Sequence, residues 1–259
     1  MKRIIFTFLY DEGQLVLSRN FFRQKIGDQN WLFQNYNLSK VAYGLDEIML
    51  LNISKSNNFD SEFILLIEKV TKSCFIPITV GGRVQTEKCA EDYFKAGADK
   101  ILINQLNFTN PKTTKNIIKI YGSQAIVSCL NYKTDYNQVN VYHSDGKTIH
   151  CVSAERYLNF LLELQVGEVL FQSIDHDGSG VGLDFSILNL IPKNFPLPII
   201  LMGGIGKLDH FIAGLSNDKV DAVATANILN FIGSSILSLR DAVIEKGIDV
   251  PKFDNNIQL

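Results

Sequence analysis

The chain has 259 residues, 46% of them hydrophobic and 20% charged, with a formal net charge of −2. That size and composition suit one globular domain of about 250 residues whose core needs no disulfide or metal staple. The near-neutral balance argues against a nucleic-acid surface, and no apolar run approaches the ~18 residues of a membrane span.

Taken in chain order, the segment Met1 to Tyr10 joins a basic start to a short apolar run. Acidic Asp11 and Glu12 follow with no small-residue cleavage site, so the segment reads as a first strand and not a signal peptide. Strands are expected at 3–9, 46–52, 76–81, 100–104, 125–130, 168–173, 198–202 and 221–225. Runs such as Ile48 to Leu51 and Ile199 to Met202 are apolar throughout, as in strands buried on both faces of a parallel sheet. Amphipathic stretches separate them: Asp60 to Cys74, Glu87 to Ala96, Pro111 to Tyr121, Ala154 to Gln165 and Asp184 to Leu190. Eight strands alternating with helices predict an α/β fold, a single (β/α)8 TIM barrel spanning residues 1–259. A doubly wound sheet is the alternative.

Two insertions interrupt the alternation. One runs from Asp11 to about Leu38 after the first strand and carries Arg19, Arg23, Lys25 and Trp31. The other runs from Asn131 to about Val152 after the fifth. In it Val139 to Tyr142 and Thr148 to His150 flank Ser144-Asp145-Gly146-Lys147, a hairpin signal. Both follow the C-terminal end of a strand, the catalytic face of a barrel. Cys74, Cys89, Cys129 and Cys151 form no C-x-x-C pair, and with four histidines no metal-ligand spacing arises. Free thiols in a reducing cytosol, with neither metal nor cofactor, are the expectation.

The chain repeats itself at half its length. Pro77-Ile78-Thr79-Val80-Gly81-Gly82 matches Pro198-Ile199-Ile200-Leu201-Met202-Gly203-Gly204, with the glycine pairs 122 positions apart (203 − 81 = 122). The same offset, within one residue, carries Glu47-Ile48 onto Glu168-Val169 and Asp99 onto Asp221. This predicts two related half-barrels, about 1–122 and 123–247. Each half then ends in a glycine pair and a polar strand end: Gly81 and Gly82 with Asn104, and Gly203 and Gly204 with Ala226 and Asn227. Glycine pairs let backbone N–H groups approach an anion closely, although a tight strand-to-helix turn also uses them. Two such sites across one mouth suit a ligand with a phosphate or carboxylate at each end. Asp175, His176, Asp177 and Gly178 lie in a glycine-rich loop after the sixth strand. An EF-hand calcium loop competes for that motif, but the ligand spacing does not match.

Lys2-Arg3-Ile4-Ile5, Thr79-Val80-Gly81-Gly82, Gly97-Ala98-Asp99-Lys100, Tyr121-Gly122-Ser123-Gln124-Ala125, Ser173-Ile174-Asp175-x-Asp177-Gly178 and Gly203-Gly204-x-Gly206-Lys207 resemble the cyclase subunit of imidazole glycerol phosphate synthase, the HisF family. The resemblance spans about Lys2 to Gly247. It implies a two-phosphate-site barrel that takes ammonia through its centre from a HisH-like glutaminase docked on the opposite face. It implies phosphate binding by Gly81, Gly82, Asn104, Asp175, Gly178, Gly203, Gly204, Ala226 and Asn227. It maps an ammonia gate onto Arg3, Glu47, Lys100 and Glu168, and a glutaminase contact onto Asp99.

The departures lie at the chemical end. The family's acid/base aspartates align with Leu9 and Asn131, its loop lysine with Leu17, and its second-strand aspartate with Asn52. Leucine cannot titrate, and asparagine does not exchange protons near neutrality. The candidate catalytic groups are therefore Asn131, Asp11, Asp177 and His176, with Asp11 two residues beyond Leu9 on the same strand face. Cys129 as a nucleophile competes with a plain core role. The resemblance implies an ammonia-accepting subunit of a glutamine amidotransferase. Its acceptor would lie outside histidine synthesis: a phosphorylated ligand or nucleotide sugar of surface-glycan biosynthesis, reached directly or through a third protein. The alternatives are the cyclase–lyase of histidine synthesis and a non-catalytic scaffold that activates a glutaminase.

Overall fold

The computed structural model describes residues 1–135, 138–143, 146–149, 153–227 and 235–252. Its strands are β1 (Arg3–Asp11), β2 (Gln14–Arg19), β3 (Phe22–Gly27), β4 (Glu47–Asn52), β5 (Ile78–Gly81), β6 (Lys100–Ile103), β7 (Ile126–Asp135), β8 (Gln138–His143), β9 (Thr148–Ile149), β10 (Glu168–Ser173), β11 (Ile199–Met202) and β12 (Ala222–Thr225). β1, β4, β5, β6, β7, β10, β11 and β12 pair in parallel in that order, and β12 returns to β1. The sheet is a closed eight-stranded barrel, not a doubly wound sheet.

Helices cover the outside: α1 (Gln29–Asn35), α2 (Leu38–Val41), α3 (Asp60–Ser73), α4 (Glu87–Lys95), α5 (Gln105–Thr109), α6 (Pro111–Tyr121), α7 (Ala154–Leu164), α8 (Leu208–Leu215) and α9 (Ser235–Glu245). α3 buries Phe63, Leu66, Ile67 and Val70, one apolar face at helical spacing. Side-chain oxygens of Thr86, Asn110 and Ser153 accept backbone N–H groups at the starts of α4, α6 and α7.

Strand pleating divides the core in two. Ile5, Leu9, Met49, Leu51, Leu102, Val127, Cys129 and Leu170 fill the barrel interior. The alternate residues Ile4, Phe6, Phe8, Ile48 and Leu50 face the helices. Inward positions on β1 are therefore Arg3, Ile5, Thr7, Leu9 and Asp11, from floor to mouth.

Of three expectations two are corrected, and the hairpin of the second insertion is met. The first insertion is not a loop: β1 runs on to Asp11 and turns at Glu12-Gly13 into β2, which turns at Asn20-Phe21 into β3. All four turn residues have positive φ, matching the twist of two-residue hairpins. β7 likewise runs to Asp135 and pairs with β8, and β8 with β9, as the hairpin signal predicts. Ser144 and Asp145 of that turn, His150, Cys151 and Val152 lie outside the described residues. Third, the stretch Asp184 to Leu190 forms a 3-10 helix over Ser186–Leu190 and not an α-helix. Five residues ending before Pro192 are too few to propagate one. Among the described residues no helix is long and apolar enough to cross a membrane.

Candidate functional site

The barrel has two chemically different ends. At the strand starts, Arg3, Glu47, Lys100 and Glu168 form a closed ring of charges. Arg3 pairs with Glu47 at 2.9 Å and Glu168 at 2.5 Å; Lys100 pairs with Glu47 at 3.0 Å and Glu168 at 2.6 Å. The Thr79 hydroxyl donates to the other oxygen of Glu47. Burial opposes ionisation of Glu168, but Arg3 and Lys100 outweigh it and hold the carboxyl below its usual range. Burial also opposes the charge on Arg3, yet Glu168 and Glu47 raise its pKa. Each charge in the ring thus has two partners of opposite sign, which offsets its partial dehydration. Asp99 is exposed at this end and accepts the N–H of Ile78 at 2.8 Å.

The opposite, C-terminal mouth carries buried Leu9 and Asn131 and, above Leu9, an Asp11–Arg23 ion pair. Leu9 is buried beside Leu51 and pairs in register with Val16 of β2. Asn131 is buried across the barrel; its Oδ1 accepts the Cys129 thiol at 3.2 Å. Burial pushes the Cys129 pKa up to about 12, which leaves it a core thiol rather than a nucleophile. The Asn104 amide donates to the Cys129 carbonyl at 2.8 Å. Asn52 is buried and its Oδ1 accepts the N–H of Ser54. Asp11 carries the inward carboxylate of β1 and pairs with Arg23 of β3 at 3.0 Å.

The loop after β10 holds the β2–β3 hairpin in place. Asp177 is buried, and its carboxylate accepts the Ser18 hydroxyl and the Phe21 N–H. Its carbonyl accepts the Asn20 N–H at 3.0 Å. Burial raises the Asp177 carboxyl pKa against the pull of those donors. Asp175 accepts the Asn20 amide on its carbonyl and the Thr134 N–H on its carboxylate. His176 sets its Nδ1 2.7 Å from the Gly182 carbonyl, so that nitrogen carries the proton and fixes the loop. In these contacts Asp177 and His176 act as positioning groups.

The second glycine pair opens on a cavity of about 340 Å3, with Gly203, Gly204, Thr225, Ala226 and Asn227 on one side and Asp177 and Gly178 on another. Gly203 and Gly204 have φ of +110° and +92°. A Cβ on Gly204 would stand 1.9 Å from the Gly182 carbonyl oxygen, so that position is glycine for steric reasons as well. In the first half, a Cβ on Gly82 would meet the Asn52 carbonyl oxygen at 1.9 Å. Gly81, Gly82 and Asn104 do not line this cavity. Arg19, Arg23 and Gln24 do, from the β2–β3 hairpin. The two arginines were visible in the insertion; their position over the second glycine pair was not. Among the described residues no cluster of three His, Cys, Asp or Glu is arranged to hold a metal ion.

A family model described as histidine biosynthesis protein matches residues 4–233. A protein of Parasynechococcus marenigrum (strain WH8102), provisionally assigned as imidazole glycerol phosphate synthase subunit hisF2, is 37% identical over 240 residues, 93% of this chain and 89% of its own length. The imidazole glycerol phosphate synthase subunit HisF of Clostridium botulinum (strain Okra / Type B1) is 32% identical over 252 residues, covering 96% and 98% of the two chains. That of Bacillus cereus (strain G9842) is 33% identical over 250 residues, covering 94% and 98%. A parallel eight-stranded barrel with paired glycine turns, matched over nearly its whole length, makes this chain a member of the histidine biosynthesis protein family, of the imidazole glycerol phosphate synthase HisF type.

Proposed function

We propose that this barrel is the ammonia-accepting subunit of a glutamine amidotransferase complex and serves an acceptor other than the histidine intermediate. One observation carries the reading: Leu9 and Asn131 occupy buried positions of β1 and β7 toward the mouth, where the resemblance implies an acid/base pair, while the four-charge ring at the other end is complete. Losing both members of such a pair removes several kcal/mol of transition-state stabilisation, since each contributes about 10²–10⁴-fold. The delivery end keeps its charges and the chemical end loses its titratable pair.

The relatives are named as subunits, which supports a partner chain. We assign that partner as a HisH-like glutaminase docking over the charge ring, with Asp99 in the contact. Ammonia passes the ring and the barrel interior to the mouth. There the glycine pairs and Asn104, Asp175, Gly178, Ala226 and Asn227 hold a phosphorylated ligand or nucleotide sugar. Sugar amidation or amidination in surface-glycan synthesis is the reaction class, in the cytoplasm. The HisF names of the relatives favour a second reading, the cyclase–lyase of histidine synthesis with Asp11 as displaced acid.

Plugging the interior separates channelling from simple activation. Ala224 is fully buried inside the barrel. The proposal expects Ala224→Trp, in complex with the glutaminase, to keep glutamine hydrolysis but lose transfer of amide nitrogen to the acceptor. A milder Ala224→Leu variant controls for folding. Transfer that survives both changes would mean ammonia does not travel through the barrel.

A further inference from the structure

The cavity at the second glycine pair carries positive charge that the glycine pairs do not account for. Arg19 and Arg23 line it from the β2–β3 hairpin, facing Gly203 and Gly204 across about 340 Å3. That volume lies within the range of small-ligand sites. The hairpin is fixed there. The Asp177 carboxylate takes the Ser18 hydroxyl and Phe21 N–H, and a Cβ on Gly178 would stand 2.1 Å from the Ser18 carbonyl oxygen. These contacts fix the hairpin backbone on both sides of Arg19.

A second observation concerns Asp11. Its carboxylate oxygen is 3.0 Å from an Arg23 guanidinium nitrogen, with side chains 15% and 21% exposed. The contact ties Oδ1 of the Asp11 carboxylate to a cation.

Resting on the reading of Gly203 and Gly204 as an anion site, we infer that Arg19 and Arg23 are specificity-determining residues there, selecting a phosphoryl group with more than one negative charge, and that Asp11 is the resident counter-ion of Arg23. Backbone N–H groups accept any small anion. Planar guanidinium forks add bidentate recognition of phosphoryl oxygens. A phosphate ester and a nucleotide diphosphate share this chemistry.

Calorimetric titration of the full chain with inorganic phosphate, pyrophosphate and UDP tests the inference, with thermal melting to check folding. Pyrophosphate is expected to bind more tightly than phosphate. Arg19→Gln and Arg23→Gln are each expected to weaken pyrophosphate binding about tenfold or more, in line with one charge-assisted hydrogen bond. Asp11→Asn is expected to bind it as well as or better than the parent. UDP binding well above pyrophosphate would identify a nucleotide-borne ligand, and equal binding would mean that the phosphoryl groups alone are read; both support the inference. Arginine variants that bind like the parent, while Gly204→Ala loses binding, would overturn the inference and leave the glycine site standing. No binding of any probe to the parent would overturn both. An Asp11→Asn variant as weak as Arg23→Gln would overturn the counter-ion role.

Discussion

Asp99 and Asp221 lie 122 positions apart (221 − 99 = 122) and make the same contact: each carboxylate accepts, at 2.8 Å, the first N–H of the preceding barrel strand, from Ile78 and Ile199 respectively. Each also donates its own N–H to that residue's carbonyl at 2.8 Å. Asp46 does likewise for the N–H of Ile4. These strand starts would otherwise leave backbone donors without a sheet partner. Asp99→Ala and Asp221→Ala should therefore destabilise the fold by similar amounts, about 1–2 kcal/mol in urea unfolding. Only Asp99→Ala should also weaken binding of a glutaminase partner.

Breaking the charge ring should be felt more strongly. Glu168→Gln leaves Arg3 and Lys100 with one carboxylate between them, and a loss of about 3 kcal/mol is expected. The acid limb should change too. The folded pKa of Glu168 is depressed, so its contribution is complete above the unfolded value of about 4.3 and drains away as pH falls through the folded value. Unfolding between about pH 5 and 2 should therefore steepen in the parent and flatten in Glu168→Gln.

Removing the Asp177 carboxylate should free the hairpin. Asp177→Ala deprives the Phe21 N–H and the Ser18 hydroxyl of their acceptor. Limited trypsin digestion should then cut faster after Arg19 and Arg23, with a stability loss of about 1–3 kcal/mol. Unchanged cleavage would show that the hairpin is held by other contacts.

Gly204→Ala forces a side chain into a positive-φ position against the Gly182 carbonyl oxygen. A loss of more than about 2 kcal/mol is expected, and Gly82→Ala, which strikes the Asn52 carbonyl oxygen, should match it. Thiol labelling offers a quieter check. At pH 8 the native chain should leave Cys129 unmodified, since burial holds its pKa near 12.

Much of the barrel was legible because its strands are short and apolar throughout, and Gly81-Gly82 and Gly203-Gly204 mark two strand ends. The β1–β2–β3 meander was missed for a physical reason. Its turns are Glu12-Gly13 and Asn20-Phe21, and a phenylalanine at φ +65° is an unusual turn residue. The N–H that keeps Phe21 there is held by Asp177, 156 residues away. No local pattern encodes such a contact. For the same reason Arg23 could be seen, but not its pairing with Asp11. Leu9 and Asn131 were legible as departures only through the family resemblance, and Cys129 was visible two residues before Asn131; the pairing of Leu9 with Val16 required the fold.

The central claim is that the chemical end lacks the acid/base pair that the family resemblance implies. The direct test is turnover of the histidine-pathway ribonucleotide by the purified chain in saturating ammonium salt, assayed beside the Clostridium botulinum HisF relative. Ammonium bypasses any glutaminase. The account predicts turnover at least about 10⁴-fold below the relative, reflecting loss of both Leu9- and Asn131-position carboxylates. Turnover equal to the relative's would contradict it and return the barrel to histidine synthesis.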